Sequence, residues 1–275
     1  MARSKNAIPN GYHSVMPYLV NRGVGKLLDF TRDAFNAREI DRSTAPGRDI
    51  VHAATRVGDS VVEMGDPGGT EWPLMPAALH YYVTDVEDVY QRALKFGAKS
   101  LYEPKKMDYG DLECGIQDPC GNDWYVATHL AGTHYRPAGL RDVNPGVSLK
   151  DASSFLDFVA KSYGAQIIEK HANPAGIVGH AKIRLGDTVL EVSEAHGQWG
   201  PKPVALHYYL EDCDEQFNQA VAAGAKILQP MADAFYGDRA GSLLDAWGNH
   251  WYIAKHTEDL TPDEIAARAA AAGRQ

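Results

Sequence analysis

LHYYVTDVEDVYQRALKFGAK, beginning at Leu79, returns as LHYYLEDCDEQFNQAVAAGAK, beginning at Leu206. Matching positions keep an almost constant distance. Phe30 and Phe158, His52 and His180, Gly58 and Gly186, and Glu63 and Glu191 are each 128 residues apart. From His80 and His207 onward the offset is 127, joining Tyr109-Gly110-Asp111 to Tyr236-Gly237-Asp238, Trp124 to Trp251 and His129 to His256. Solenoid repeats run roughly 20–50 residues, so a period this long is a duplicated domain. The expected division is a first domain over residues 1–132, a linker over 133–142 and a second domain over 143–275. Any site the fold builds is expected twice.

A chain of 275 residues can hold two domains with cores of their own. Its net charge of −9, with no basic stripe, argues against nucleic acid or an anionic membrane as partner. The opening MARSKNAIPNGYHS lacks the apolar segment of a signal peptide. No apolar run approaches the roughly 20 residues of a membrane span. Cys114, Cys120 and Cys213 are an odd set, and none has a counterpart in the other copy. They fit structural thiols in a reducing, cytoplasmic compartment better than a disulfide framework.

Each half reads as strand, helix and three strands, twice over. Val24, Leu27, Leu28, Ala34 and Phe35 follow the helical period, as do Ala152, Phe155, Leu156, Val159 and Tyr163. Asp151 and Gly164 are placed to begin and end the second of these helices. Gly58-Asp59 and Gly186-Asp187 are Gly-first pairs suited to type II′ hairpin turns. Such a turn sets Val57 opposite Ser60, Arg56 opposite Val61, Ala54 opposite Glu63 and His52 opposite Gly65. His52, Arg56 and Glu63 then share a polar face, as His180, Arg184 and Glu191 do in the second copy, while Ala53, Val57, Val62 and Met64 face the helices. Asp85 and Asp212 stand at N-caps of further helices that end at Gly97 and Gly224. DPCGNDWYVATH and DAWGNHWYIAKH carry turn chemistry between strands, and Thr261-Pro262-Asp263-Glu264 is a capping box.

The paired LHYY strands, the Tyr-Gly-Asp triplets, the Asp-x-x-Gly-Asn-x-Trp-Tyr runs and the HTEDLTPDEIAARA tail resemble the glyoxalase/bleomycin-resistance (vicinal oxygen chelate) superfamily, with a PhnB-like branch as the nearest likeness. The resemblance covers nearly the whole chain. It implies an α+β fold of two tandem domains, each made of two βαβββ units forming a curved eight-stranded mixed sheet with a ligand cup. It also implies that the halves pack as an intramolecular pseudo-dimer.

Metal-using relatives place one ligand on each of four strands. Carried over, these positions fall on Pro17 and Pro145, which cannot bind metal, on Glu63 and Glu191, on His80 and His207, and on Tyr125 and Tyr252. Glu63, His80, Glu191 and His207 are therefore the candidate ligands of a divalent ion, with Glu63 and His80 meeting in the first half and Glu191 and His207 in the second. His52 and His180 are possible third ligands or rim residues. Candidate contacts to a small molecule are His52, Arg56, Tyr109, Asp111, Trp124 and Tyr125, and in the second copy His180, Arg184, Tyr236, Asp238, Arg239, Trp251 and Tyr252. Each has a structural alternative: a solvated sheet face for the charged pairs, core packing for the indoles, and a tight bend for Tyr-Gly-Asp. Arg239 follows Asp238 whereas Leu112 follows Asp111, so the sites are expected to be inequivalent. Three readings stay open. The first is a binding protein for a planar or amphipathic molecule, without a complete catalytic metal site. The second is a metal-dependent lyase, isomerase or dioxygenase, and the third a metal-free acid/base enzyme.

Overall fold

In the computed structural model, which describes residues 4, 6–45, 48–67, 73–197 and 199–271, the chain runs as four βαβββ units and a final helix. The first unit is β1 (Val15–Val20), α1 (Val24–Phe35), β2 (Arg38–Ala45), β3 (Arg48–Val57) and β4 (Ser60–Gly65). The second is β5 (Ala78–Tyr82), α2 (Val86–Lys95), β6 (Lys99–Lys106), β7 (Asp111–Gln117) and β8 (Asp123–His129). The third is β9 (Val143–Leu149), α3 (Ala152–Tyr163), β10 (Gln166–Ala172), β11 (Val178–Leu185) and β12 (Thr188–Glu194). The fourth is β13 (Ala205–Tyr209), α4 (Cys213–Ala222), β14 (Lys226–Asp233), β15 (Asp238–Leu244) and β16 (His250–His256), followed by α5 (Pro262–Ala271). Among the described residues no helix is long and apolar enough to cross a membrane.

The strands form two eight-stranded mixed sheets, each of two βαβββ units, and the α+β class stands. The units that share a sheet, however, come from opposite sides of the 133–142 segment. The first sheet has the order β14-β15-β16-β13-β1-β4-β3-β2, and the second β10-β11-β12-β9-β5-β8-β7-β6. The expectation that one half builds one cup is corrected accordingly. β1 joins β13 antiparallel, with Met16 opposite His207, and β5 joins β9, with His80 opposite Asn144.

The hairpin tips tie the first unit to the third, across the two sheets. At the Gly58-Asp59 turn, the Asp59 amide donates to Asp142 Oδ2 at 2.8 Å and the Asp142 amide donates back to Asp59 Oδ1 at 2.9 Å. At Gly186-Asp187, the Ser14 amide donates to Asp187 Oδ1 at 2.8 Å and the Asp187 amide donates to Ser14 Oγ at 3.2 Å. The three bonds accepted by a carboxylate are charge-assisted and stronger than the neutral one to Ser14 Oγ. Both turn glycines have positive φ, 59° and 57°, and a Cβ on them would stand 2.0 Å from Asp142 Oδ2 and 2.2 Å from Ser14 Oγ. Glycine is required there by conformation and by the closeness of the other half.

The hairpin register is the expected one, from Val57 opposite Ser60 to His52 opposite Gly65. Ala53, Val57, Val62 and Met64 lie in one large core beneath the helices, and Ala54 and Val61 lie on the concave side with Met16 and Tyr209. Trp124 and Trp251 are fully buried in the helix-side core, where Trp124 packs on Phe35 at 4.7 Å and Trp251 on Tyr163 at 4.7 Å. Their indole N–H groups donate to Asp118 Oδ2 and Asp245 Oδ2 at 3.0 and 2.9 Å. The same aspartates accept from the amides of Asn122 and Asn249, so the Asp-x-x-Gly-Asn-x-Trp run is a buried network that closes a turn.

Candidate functional site

The crossed sheets change which acid meets which imidazole. Glu191 on β12 meets His80 on β5, and Glu63 on β4 meets His207 on β13; the pairing of Glu63 with His80 is corrected. In the first sheet His207 Nδ1 lies 2.8 Å from Glu63 Oε2. In the second, His80 Nδ1 lies 3.2 and 3.3 Å from the two oxygens of Glu191. The opposite ring nitrogen, Nε2, is 3.2 Å from Glu113 Oε2 on β7. That is ion-pair distance, but off the line of a hydrogen bond, and Nε2 is buried without a hydrogen-bond partner. Glu113 also accepts from the Tyr102 hydroxyl at 2.5 Å, and His180 Nε2 stands 3.6 Å from Glu191 Oε2. A continuous polar row, Tyr102–Glu113–His80–Glu191–His180, therefore crosses the floor of the second cup.

The electrostatics follow from this packing. Burial opposes protonation of His80, but the Glu191 charge and contacts with both glutamates outweigh it, lifting the pKa from 6.5 to about 10. Burial likewise raises Glu191, and the charges and bonds of His80 and His180 override it and hold the carboxyl well below its usual range. His207 is raised in the same way against burial by Glu63, and Glu63 is lowered against burial by His207.

Over the floor of the second cup opens a cavity of about 680 Å³. Its walls are aromatic: Tyr102 and Tyr125 stack at 6.4 Å, and Trp199 meets Tyr125 edge-on at 6.3 Å. Lys105 Nζ lies 4.8 Å over the Tyr102 ring. Ser148 Oγ, also lining the cavity, is buried without a hydrogen-bond partner.

Residues expected at the site separate into groups. His80, Glu191, His180 and Tyr125 line the open cup. His52 bonds the Tyr18 hydroxyl at 3.1 Å, and the Tyr252 ring packs on Tyr18 at 4.8 Å, tilted by 38°, in the first cup. Arg56 donates to the Gly11 carbonyl at 2.9 Å, and Arg184 lies beside Gly139, both at the segments leading into the first strand of a sheet. Asp111 accepts from the Tyr82 hydroxyl at 3.1 Å and pairs with His129 Nδ1 at 2.6 Å; Asp238 does the same with Tyr209 and His256, both at 2.8 Å. These carboxylates are consumed by the fold. Arg239 forks onto Asp214 of α4, outside the cup; Tyr109 and Tyr236 are exposed at their turns, and the Tyr109 hydroxyl reaches Glu113 of the second cup's floor. Trp124 and Trp251, placed in the core, cannot stack on a cup ligand.

A metal ion needs donors that converge on one point. Pro17 and Pro145 oppose Leu206 and Leu79 and so face the helix side; the cup-facing neighbours are Met16 and Tyr18, and Asn144 and Gly146. The His80 ring lies between Glu113 and Glu191, so the two acids flank opposite edges of the imidazole. Among the described residues, no group of three or more His, Cys, Asp or Glu side chains is arranged to hold a metal ion. The residues present do not fit the four-ligand centre that the resemblance implies.

Glu113, Tyr102 and Trp199 were not legible by comparing the copies, because Ala240 and Gln229 occupy the positions matching Glu113 and Tyr102. The available signal was the strand alternation, which puts Glu113 and Tyr125 on one face: Glu113 opposes Ala127, and Gly115 opposes Tyr125.

A sequence profile of the Glyoxalase/Bleomycin resistance protein/Dioxygenase superfamily matches residues 13–126. An uncharacterized protein of Mycobacterium bovis is 30% identical over 142 residues, covering 48% of this chain and 93% of that protein. A similar uncharacterized protein of Mycobacterium tuberculosis is 30% identical over 142 residues, 84% of its length. Among solved structures, glyoxalase I from Zea mays superposes with a TM-score of 0.66 at 16% identity, covering 94% of this chain and 96% of that one.

Proposed function

The chain belongs to the glyoxalase/bleomycin resistance protein/dioxygenase superfamily, and on that premise we propose that it binds a small planar or amphipathic molecule in the cup of the second sheet. The observation that carries this reading is the cavity of about 680 Å³, with stacked aromatic walls above a buried acid–imidazole floor. Its size lies within the roughly 300–1,000 Å³ of ordinary ligand pockets. Tyr102, Tyr125 and Trp199 offer faces to a flat apolar body, and Glu113, Glu191 and Ser148 offer partners to its polar end. Two carboxylates flank one imidazole, so a ligand with cationic or hydrogen-bond-donating groups is favoured at the floor.

A general-base role for His80 or Glu191 is disfavoured by the same geometry. A histidine whose pKa stands at about 10 is already protonated at neutral pH and cannot accept a proton as a general base. Glu191, held low, is a weak base. The three cysteines are unpaired, which suits the reducing cytoplasm in which we place the protein.

The test is a fluorescence titration with bleomycin and a panel of planar aromatic cations. Saturable quenching that is lost in Trp199→Phe is expected. Tyr102→Ala and Trp199→Ala should each weaken binding by about 1–2 kcal/mol, roughly tenfold. No saturable response to any probe, together with one tightly held divalent ion per chain, would overturn the reading in favour of a metal-dependent enzyme.

A further inference from the structure

The two cups differ most at their centres. Tyr18 and Gly146 are 128 positions apart and occupy the same place in the ladder, Tyr18 opposite Glu63 and Gly146 opposite Glu191. Where the second cup is open, the first holds the Tyr18 ring, 4.8 Å from Tyr252 and 5.7 Å from His52. Burial first, then the neighbouring Tyr252 and Glu63, raises the Tyr18 phenol well above its ordinary pKa, as expected of an enclosed ring. The adjoining strand is shaped to match. A Cβ on Gly65 would stand 2.5 Å from the Tyr18 hydroxyl, whereas the equivalent residue beside Gly146 is Ser193. Further along the first cup, Tyr12 packs edge-on against Tyr209 at 6.5 Å, and Ile8 joins the cluster of Met16, Ala54 and Val61.

We propose that these two pairs decide which cup binds: Tyr18 with Gly65 makes the first cup a self-filled structural copy, and Gly146 with Ser193 leaves the second as the cup that takes a ligand. The inference rests on the binding function proposed above for what enters the open cup, but not for what fills the closed one. A tyrosine is admissible at 146. Its backbone does not have the positive φ that demands glycine, and a Cβ there would meet Ala78 at ordinary distances, its carbonyl oxygen nearest at 3.5 Å and its Cβ at 3.9 Å. The obstacle is the side chain at 193, which glycine removes.

Three variants test this: Tyr18→Gly, Gly146→Tyr, and Gly146→Tyr combined with Ser193→Gly. Thermal unfolding needs no ligand. Tyr18→Gly should lower the Tm by about 5–10 °C, because the ring leaves a cavity behind. The double variant should melt a few degrees above Gly146→Tyr, because the collision with Ser193 is gone. Calorimetric titration with bleomycin should give one equivalent on the unaltered chain and at least tenfold weaker binding to the double variant. Two equivalents on the unaltered chain, undiminished binding by the double variant, or no loss of Tm in Tyr18→Gly would each overturn the proposal. If no probe binds the unaltered chain, the functional reading fails and the melting data alone decide this one.

Discussion

His80 and His207 come from identical LHYY strands, yet His80 has a carboxylate at each ring nitrogen while Ala240 denies His207 the second. His80 is thus expected to stay protonated through neutral pH and to titrate near its raised value of about 10, which imidazole resonances would report directly. Glu113→Ala should bring that titration down toward the ordinary range. The linkage has a definite sign. The folded pKa of about 10 exceeds the ordinary 6.5, so the stabilisation is complete below pH 6.5 and is lost as pH rises through about 10. The gap in urea midpoint between wild type and His80→Gln should therefore be wider at pH 6 than at pH 10.5; an equal gap would show that His80 is neutral in the fold. Glu191 and His80 are legible in the sequence because each has its match in the other copy, Glu63 and His207. Glu113, Tyr102 and Gly146 are not legible in that way, because the other copy has Ala240, Gln229 and Tyr18 in their places. Trp124 misled for the opposite reason: it is kept twice because Asp118 and its network need an indole donor.

Secondary elements were legible wherever a local rule fixed them. The Gly-Asp turn dictates a two-residue loop, and with it every pair from Val57–Ser60 to His52–Gly65. The helix caps show how far such rules reach. Asp85 accepts from the Asp88 amide at 3.0 Å, whereas Asp212 at the matching position of α4 makes no side-chain cap bond. Asp85→Ala should therefore cost about 1 kcal/mol in a denaturant melt, and Asp212→Ala only a few tenths. Equal losses would mean that sequence position, and not the observed bond, sets the cap energy. What no local rule could give was the partner of β1. β5 and β13 both read Leu-His-Tyr-Tyr, so their hydrogen-bonding edges are equivalent. The tip contacts of Asp59 with Asp142 and of Asp187 with Ser14 tie the first unit to the third and touch neither β5 nor β13, so the partner of β1 is a property of the whole assembly and not of a local signal.

At the scale of the molecule, that choice makes the halves interdependent. Residues 1–132 alone contain β1 to β8 but none of β9 or β13, the strands on which β1 and β5 close. An isolated first half leaves the two central strands β1 and β5 each with an unpaired edge, with apolar residues on the helix side of each, a state prone to association. Because β5 carries the same five residues as β13, the simplest remedy is a second copy: β1 of one chain beside β5 of the other, twice, about a two-fold axis. We therefore expect residues 1–132 to be a dimer by light scattering, and co-expressed halves 1–132 and 143–275 to form a one-to-one complex instead. In the homodimer Glu63 of one chain would meet His80 of the other, an acid–imidazole pair that the fused chain never forms. A crosslink or a titration shift coupling Glu63 to His80 in the half-chain dimer, absent from the full chain, would establish the rearrangement. A half that melts cooperatively as a monomer would mean that one βαβββ pair can close on itself, and that the crossed sheets are not what the sequence requires.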